Sequence, residues 1–179
     1  MSDGPALTRY AYVGPPAIRD RERGEPGVVI ASGDDLERWL SAHPEAAGEC
    51  ATYVVDLQGR LRLAARRSEH IDCAGGQAVL AAGEISIARA ADRRVVVREV
   101  SNQSTGYCPD PDCWPAVAAA LTAAGLAAPT TFTRAFVFRR CPACAQINLV
   151  KDDWFFCAAC DAELPRAWNF AESAAQTMS

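Results

Sequence analysis

The spacing of hydrophobic and polar positions changes several times along this chain, and each change predicts an element. Residues 8–14 alternate aromatic and small side chains around Tyr10 and Tyr12 and stop at Gly14-Pro15-Pro16, the pattern of a first strand. Residues 19–26 are charged and contain Gly24 and Pro26, so they read as a loop, and Val28-Val29-Ile30 reads as a short buried strand. Over residues 32–42 the apolar Leu36, Trp39 and Leu40 fall at i, i+3 and i+4. Ser32 or Asp34 is placed to cap them, Asp34-Asp35 occupies the first turn and Pro44 blocks continuation, so this segment is a helix.

From residue 51 the period shortens to two. Residues 52–57 and 60–64 flank Gln58-Gly59 as a hairpin, and residues 77–82, 84–89 and 95–100 continue as an antiparallel meander with one wet face. Residues 115–124 return to helical spacing, burying Val117, Ala120, Leu121 and Ala124 between Pro115 and Gly125. Residues 130–139 form a last strand with Phe132, Phe136 and Phe138 on one face. They run into Cys141 with no flexible linker, so the segment that follows should share a sheet or a core with the body.

That segment carries the clearest chemistry. Residues 139–161 read R-R-C-P-A-C-A-Q-I-N-L-V-K-D-D-W-F-F-C-A-A-C-D: two C-x-x-C pairs, Cys141/Cys144 and Cys157/Cys160, separated by twelve residues. Two residues between the cysteines of a pair let both sulfurs of a tight turn converge on one ion, and four thiolates suit tetrahedral Zn²⁺. With four protein ligands no position is left for a substrate water, so such a site is structural. The pattern predicts one hairpin between the pairs, with Ile147, Leu149 and Val150 in one strand, Trp154, Phe155 and Phe156 in the other, and Lys151-Asp152-Asp153 as the turn. The stretch resembles the zinc-ribbon superfamily over residues 134–168. The glycine that often follows the second cysteine of a knuckle is Ala145 here and Asp161 in the second knuckle. A rubredoxin-like iron centre uses similar ligands, but the short gap between the pairs favours zinc. A zinc nucleobase deaminase also contains C-x-x-C, but it needs a proline just before the pair and an upstream H-x-E. Arg140 precedes Cys141, and neither His43 nor His70 has a glutamate two residues on.

Elsewhere residues 101–113, S-N-Q-S-T-G-Y-C-P-D-P-D-C, interrupt the periodicity with a dense run of side-chain donors and acceptors. Asn102, Gln103, Ser104 and Tyr107 are its candidate binding residues, against the plainer reading of a turn-rich connection held by its own side chains. His70, Glu84 and Cys108 are the candidate catalytic groups, with Cys108 or Cys73 as nucleophile and His70 as base, although no spacing brings them together. His70, Cys73, Cys108 and Cys113 also contain a second potential ligand set. The preferred reading makes them separate residues and leaves one zinc ion per chain.

Composition narrows the classes. Half of the 179 residues are hydrophobic, enough for a substantial core, and no apolar stretch approaches the ~20 residues that cross a bilayer. Met1-Ser2-Asp3-Gly4-Pro5 does not open as a secretory leader does, and half of the eight cysteines cluster at ligand spacing, so reduced thiols in a cytoplasmic protein of bacterial type are expected. A formal charge of −4 argues against a protein that coats nucleic acid. Arg60, Arg62, Arg66, Arg67, Arg93, Arg94 and Arg98 can still form a basic face, and Arg139, Arg140 and Lys151 beside Trp154 can meet phosphates and a base. The expectation is an α+β body over residues 1–133, of mostly antiparallel strands with two helices. It is continuous with a zinc ribbon over 134–170 and a frayed tail over 171–179. The function read from this is zinc-stabilised, non-catalytic binding of an unknown protein or small ligand. Nucleic-acid binding, and a small enzyme around His70, Glu84 and the 102–107 loop, are the alternatives.

Overall fold

The computed structural model describes residues 7–21 and 23–170. The expected tail over 171–179 and the opening five residues lie outside the described residues. The fold is α+β, built on a five-stranded antiparallel sheet of order β1-β3-β2-β4-β5, where β1 is Val28–Ile30, β2 Cys50–Val55, β3 Leu61–Ala64, β4 Ala81–Arg89 and β5 Val95–Val100. A separate two-stranded sheet pairs β6 (Val137–Arg140) with β7 (Ile147–Val150). Among the described residues no helix is long and apolar enough to cross a membrane.

The two periodic helices form where the pattern places them. Gly33–Ala42 is capped by Ser32, whose hydroxyl accepts from the Asp35 amide at 3.1 Å, while the Asp35 carboxylate accepts from the Ala31 amide at 2.9 Å; Leu36, Trp39 and Leu40 are buried. Trp114–Ala123 buries Val117, Ala120 and Leu121 and packs on β2, β3 and β4. Two short helices were not legible from periodicity. With them the helices are α1 (Pro16–Asp20), α2 (Gly33–Ala42), α3 (His70–Cys73) and α4 (Trp114–Ala123). The first starts at the proline stop and ends in the expected charged loop, and neither is long enough to show a 3.6-residue repeat.

Several strand expectations are corrected. Residues 8–14 form no strand; Tyr10 bridges Val79, and the Val13 and Gly14 amides donate to the Gly106 carbonyl. Residues 77–89, expected as two strands, hold one continuous strand from Ala81 that passes through Gly83. A Cβ at Gly83 would run into the Ser101 carbonyl oxygen, so the glycine serves a close approach of two backbones and does not end the strand. The 56–60 turn is organised by Asp56. Its carboxylate accepts from the Gln58 and Arg60 amides at 3.0 Å and from the Arg60 and Arg62 guanidinium groups at 2.9 Å. Burial alone would raise the Asp56 carboxyl; the Arg60 amide and the Arg62 and Arg60 side chains outweigh it and hold it below its ordinary value.

The main core is continuous from Tyr10 through β2, β4 and α4 to Phe132. The cysteine-rich segment joins this body through a shared core, without sharing its sheet. Phe138 of β6 packs with Cys108 and Phe170, and Trp168 lies against both this cluster and the main core.

Candidate metal centre

Each cysteine pair sits on a tight turn of the same construction. In the first, the Cys141 amide donates to the Gln146 carbonyl at 2.8 Å and the Ala145 amide to the Cys141 carbonyl at 2.9 Å. In the second, the Cys157 amide donates to the Ala162 carbonyl at 2.8 Å and the Asp161 amide to the Cys157 carbonyl at 2.9 Å. Ala145 and Asp161, which stand where a glycine is common, adopt the left-handed conformation a glycine would favour, with φ of 63° and 59°. This repeat corrects the expected hairpin. Residues 147–150 do not pair with 154–156; β7 pairs with β6 across the first knuckle, and Phe156 bridges Glu163 across the second. Each knuckle is itself the turn of its own small hairpin, because its amide-to-carbonyl bond draws together the chain on either side.

The turns face each other and bring the sulfurs of Cys141, Cys144, Cys157 and Cys160 within 4.8 Å of one another. The Cys141–Cys160 and Cys144–Cys157 separations are 3.6 Å. A tetrahedron with metal–sulfur bonds of about 2.3 Å has sulfur–sulfur edges of about 3.8 Å, so the donor set fits one metal ion. Cys141 and Cys157 are buried and Cys144 and Cys160 exposed. The Ala159 amide donates to the Cys157 sulfur at 3.4 Å and, with the Cys160 amide and Asn148, lowers that thiol to about 6 against the effect of desolvation. For Cys160 the Ala162 amide acts in the same sense, but Cys144, Cys141 and Cys157 crowd it and push it up to about 12. Four thiolates this close repel one another, and a bound cation removes the conflict.

Asn148, which the sequence reading passed over, braces the two halves. Its side-chain amide donates to the Gln146 carbonyl at 2.9 Å and to the Cys157 sulfur at 3.5 Å, and its oxygen accepts from the Ala158 amide at 2.9 Å. The signal was a buried amide in the middle of the apolar run I-N-L-V.

The candidate loop turns inward. Asn102 is fully buried. It donates to the Pro109 and Phe136 carbonyls at 2.9 and 2.7 Å and accepts from the Phe136 amide at 2.7 Å. The Ser104 hydroxyl accepts from the Tyr107 amide at 3.3 Å, and the Tyr107 hydroxyl donates to the Gln77 carbonyl at 2.6 Å. Gln103 lines a small cavity with Cys50, Glu84, Glu99 and Arg134. This cavity shares Cys50, Ser86 and Glu99 with a groove of about 490 Å³ beside β4 and β5 that Glu49 and Arg98 also line.

His70 and Cys108 are not among the described residues lining that cavity. His70 places Nε2 3.0 Å from the Gly83 carbonyl, which only accepts, so Nε2 carries the hydrogen. Burial holds its pKa below the ordinary value, opposed by that carbonyl and by Glu84. Cys73, Cys108 and Cys113 are buried and burial pushes each thiol up to about 12. Cys73 points at the Arg62 carbonyl and Cys108 at the Thr105 carbonyl. Among the described residues, the one group of three or more histidine, cysteine or acidic side chains close enough to hold a metal ion is the quartet above.

The arginines are largely engaged. Arg60 and Arg62 pair with Asp56, Arg66 with Glu49 and Arg94 with Asp92. Arg139 is buried, bound to Asp110 at 3.1 Å and to the Pro165 and Arg166 carbonyls, and Arg140 lies over the Phe170 ring. Comparison of the chain with protein-family models, curated proteins and solved structures returns no match.

Proposed function

We propose that this chain is a zinc-stabilised, non-catalytic binding protein whose contact surface is the groove along β4 and β5 together with the small cavity beside it that Gln103 lines. What carries the reading is how the reactive groups are used. The imidazole of His70 bonds a backbone carbonyl, three buried thiols are held far above neutral pH, and the remaining thiol near the groove, Cys50, is raised by burial and then by Glu84 and Glu99. A protonated thiol beside carboxylates is a poor nucleophile. The groove therefore offers shape, hydroxyl and amide groups, and carboxylates facing Arg98 and Arg134, without an activated group. Its walls combine both charges, which suits a zwitterionic or mixed-charge ligand.

Zinc is the ion that a closed tetrahedron of four thiolates most commonly holds, and in this role it would hold the two knuckles together and take no part in chemistry. Elemental analysis of purified, reduced protein should give one zinc per chain; iron in its place would correct the identity. The binding reading is tested by a thermal-shift screen of amino acids, short peptides and nucleotides, repeated on Ser86→Trp, which fills the groove. A ligand that stabilises the wild-type chain, loses its effect on Ser86→Trp and is recovered chemically unchanged supports the proposal. Turnover of that ligand, or salt-sensitive retention of nucleic acid by both proteins, would overturn it.

A further inference from the structure

Alternation along residues 154–156 turns Phe155 inward and leaves Trp154 68% and Phe156 42% exposed. Their ring centroids are 4.8 Å apart with planes tilted by 41°, so the two form one aromatic shelf. Two large rings left in water next to each other, in a segment this small, forgo burial that would have helped it fold. The turn that presents them uses a conformation that aspartate enters more readily than most side chains. Asp152 and Asp153 are both left-handed, with φ of 51° and 56°, and the Trp154 amide closes the turn on the Lys151 carbonyl at 2.9 Å.

Charge decides what such a shelf can hold. Between Cys141 and Leu164 the acidic residues are Asp152, Asp153, Asp161 and Glu163, and the only basic one is Lys151. Asp152 and Asp153 immediately precede the shelf. Glu163 is the bridge partner of Phe156 across an antiparallel pair, which puts its side chain on the same face. The nearby arginines are engaged elsewhere: Arg139 is buried, Arg140 lies over Phe170, and Arg166 lies over Phe155, the ring that turns inward away from the shelf. A polyanion is repelled here, a second copy would set one acidic rim against another, and a purely apolar helix would desolvate carboxylates without pairing them. A guanidinium meets both demands, stacking its plane on the rings while its N–H groups bind the rim carboxylates.

The geometry points to the Trp154–Phe156 shelf as the docking surface for an arginine-bearing, basic segment of a protein partner. This surface is distinct from the β4–β5 groove and does not depend on it. The probe is a fluorescein-labelled peptide of alternating arginine and glycine, titrated with the full zinc-loaded chain by fluorescence anisotropy. Saturable binding is expected, weaker for the lysine counterpart. It should fall at least tenfold in Trp154→Ala and in the double variant Asp152→Asn, Asp153→Asn, where asparagine tolerates the left-handed turn and removes only charge. Zinc content and melting temperature should not change in either, and Ser86→Trp should bind as the wild type does. Equal affinity of Trp154→Ala and wild type would overturn the proposal, as would absence of peptide binding by the wild type. So would a single-stranded oligonucleotide bound through Trp154, or a wild-type dimer that Trp154→Ala dissolves in sedimentation.

Discussion

Replacing Asn102 with alanine removes three hydrogen bonds at once, two donated to the Pro109 and Phe136 carbonyls and one accepted from the Phe136 amide. The side chain is fully buried, so the Pro109 carbonyl it leaves behind is cut off from bulk water and the half-buried Phe136 amide and carbonyl are partly so. A buried polar group without a partner costs about 1–3 kcal/mol, and three such groups, eased by one water entering the space, give a loss of about 3–6 kcal/mol. That is a large part of the ~5–15 kcal/mol by which a domain is stable. Urea denaturation measures the total, and hydrogen exchange over residues 136–140 measures whether β6 has come loose from the loop. Asn102→Asp separates polarity from shape. It keeps an acceptor for the Phe136 amide but sets a carboxylate against two carbonyls, so it should be at least as damaging as alanine near neutral pH and recover partly on acidification, when the acid can donate again. A loss below about 1 kcal/mol for alanine, or unaltered exchange at 136–140, would refute the view that this residue pins the loop to the strand entering the ribbon.

Three further outcomes are expected. Cys144→Ser should lose the metal, seen by elemental analysis, unfold the ribbon and lower the melting temperature of the whole chain; unchanged zinc content and melting temperature would contradict the site. Ala145→Gly and Asp161→Gly, at φ of 63° and 59°, should each stabilise the metal-bound chain by up to about 1 kcal/mol and slow metal loss to a chelator, since only glycine adopts this conformation without a steric penalty; a lower melting temperature would count against the knuckle geometry. His70 is held neutral when folded, with its pKa lowered by burial, so as pH drops below the ordinary histidine value the unfolded chain takes up the proton first. Stability should therefore fall from pH 7 downward, by at most about 1.4 kcal/mol per pH unit from this group, until folded His70 is protonated too, and the difference from His70→Gln at fixed zinc should isolate that slope.

What was legible in the sequence is what local chemistry decides. Leu36, Trp39 and Leu40 behind Ser32, and the two C-x-x-C pairs, are patterns whose physics lies within one turn of chain, and the structure forms α2 and the sulfur cluster there. The 101–113 loop was not legible, because the same amide and hydroxyl groups serve a ligand or a backbone equally well. Nothing in S-N-Q-S-T-G-Y tells that Asn102 will find Phe136, thirty-four residues on. The hairpin within the ribbon was misread for a related reason. Two apolar runs around K-D-D look like partners, yet each knuckle closes its own flanks first, at a shorter loop length and lower entropic cost. Gly83 reads as a strand break until the Ser101 carbonyl is placed against it.

The cysteine-rich segment and the loop are tied together by a set of buried hydrogen bonds. Residues 164–170 run back along β6 and hold it from outside. The Asn169 side chain accepts from the Arg140 amide at 2.9 Å and donates to the Arg140 carbonyl at 2.7 Å, and the Trp168 indole donates to the Cys108 carbonyl at 2.8 Å. Arg139, buried in between, ties Asp110 of the loop to the Pro165 and Arg166 carbonyls. A buried ion pair of this kind adds little net stability, because desolvation offsets its attraction, but it fixes which groups meet. A metal that orders the four sulfurs would order β6 and the 164–170 return, and through Arg139, Trp168 and Phe136 the 101–113 segment, whose Gln103 lines the cavity beside the groove. Metal content should therefore set how well the body holds that cavity, although no cysteine of the quartet lines it.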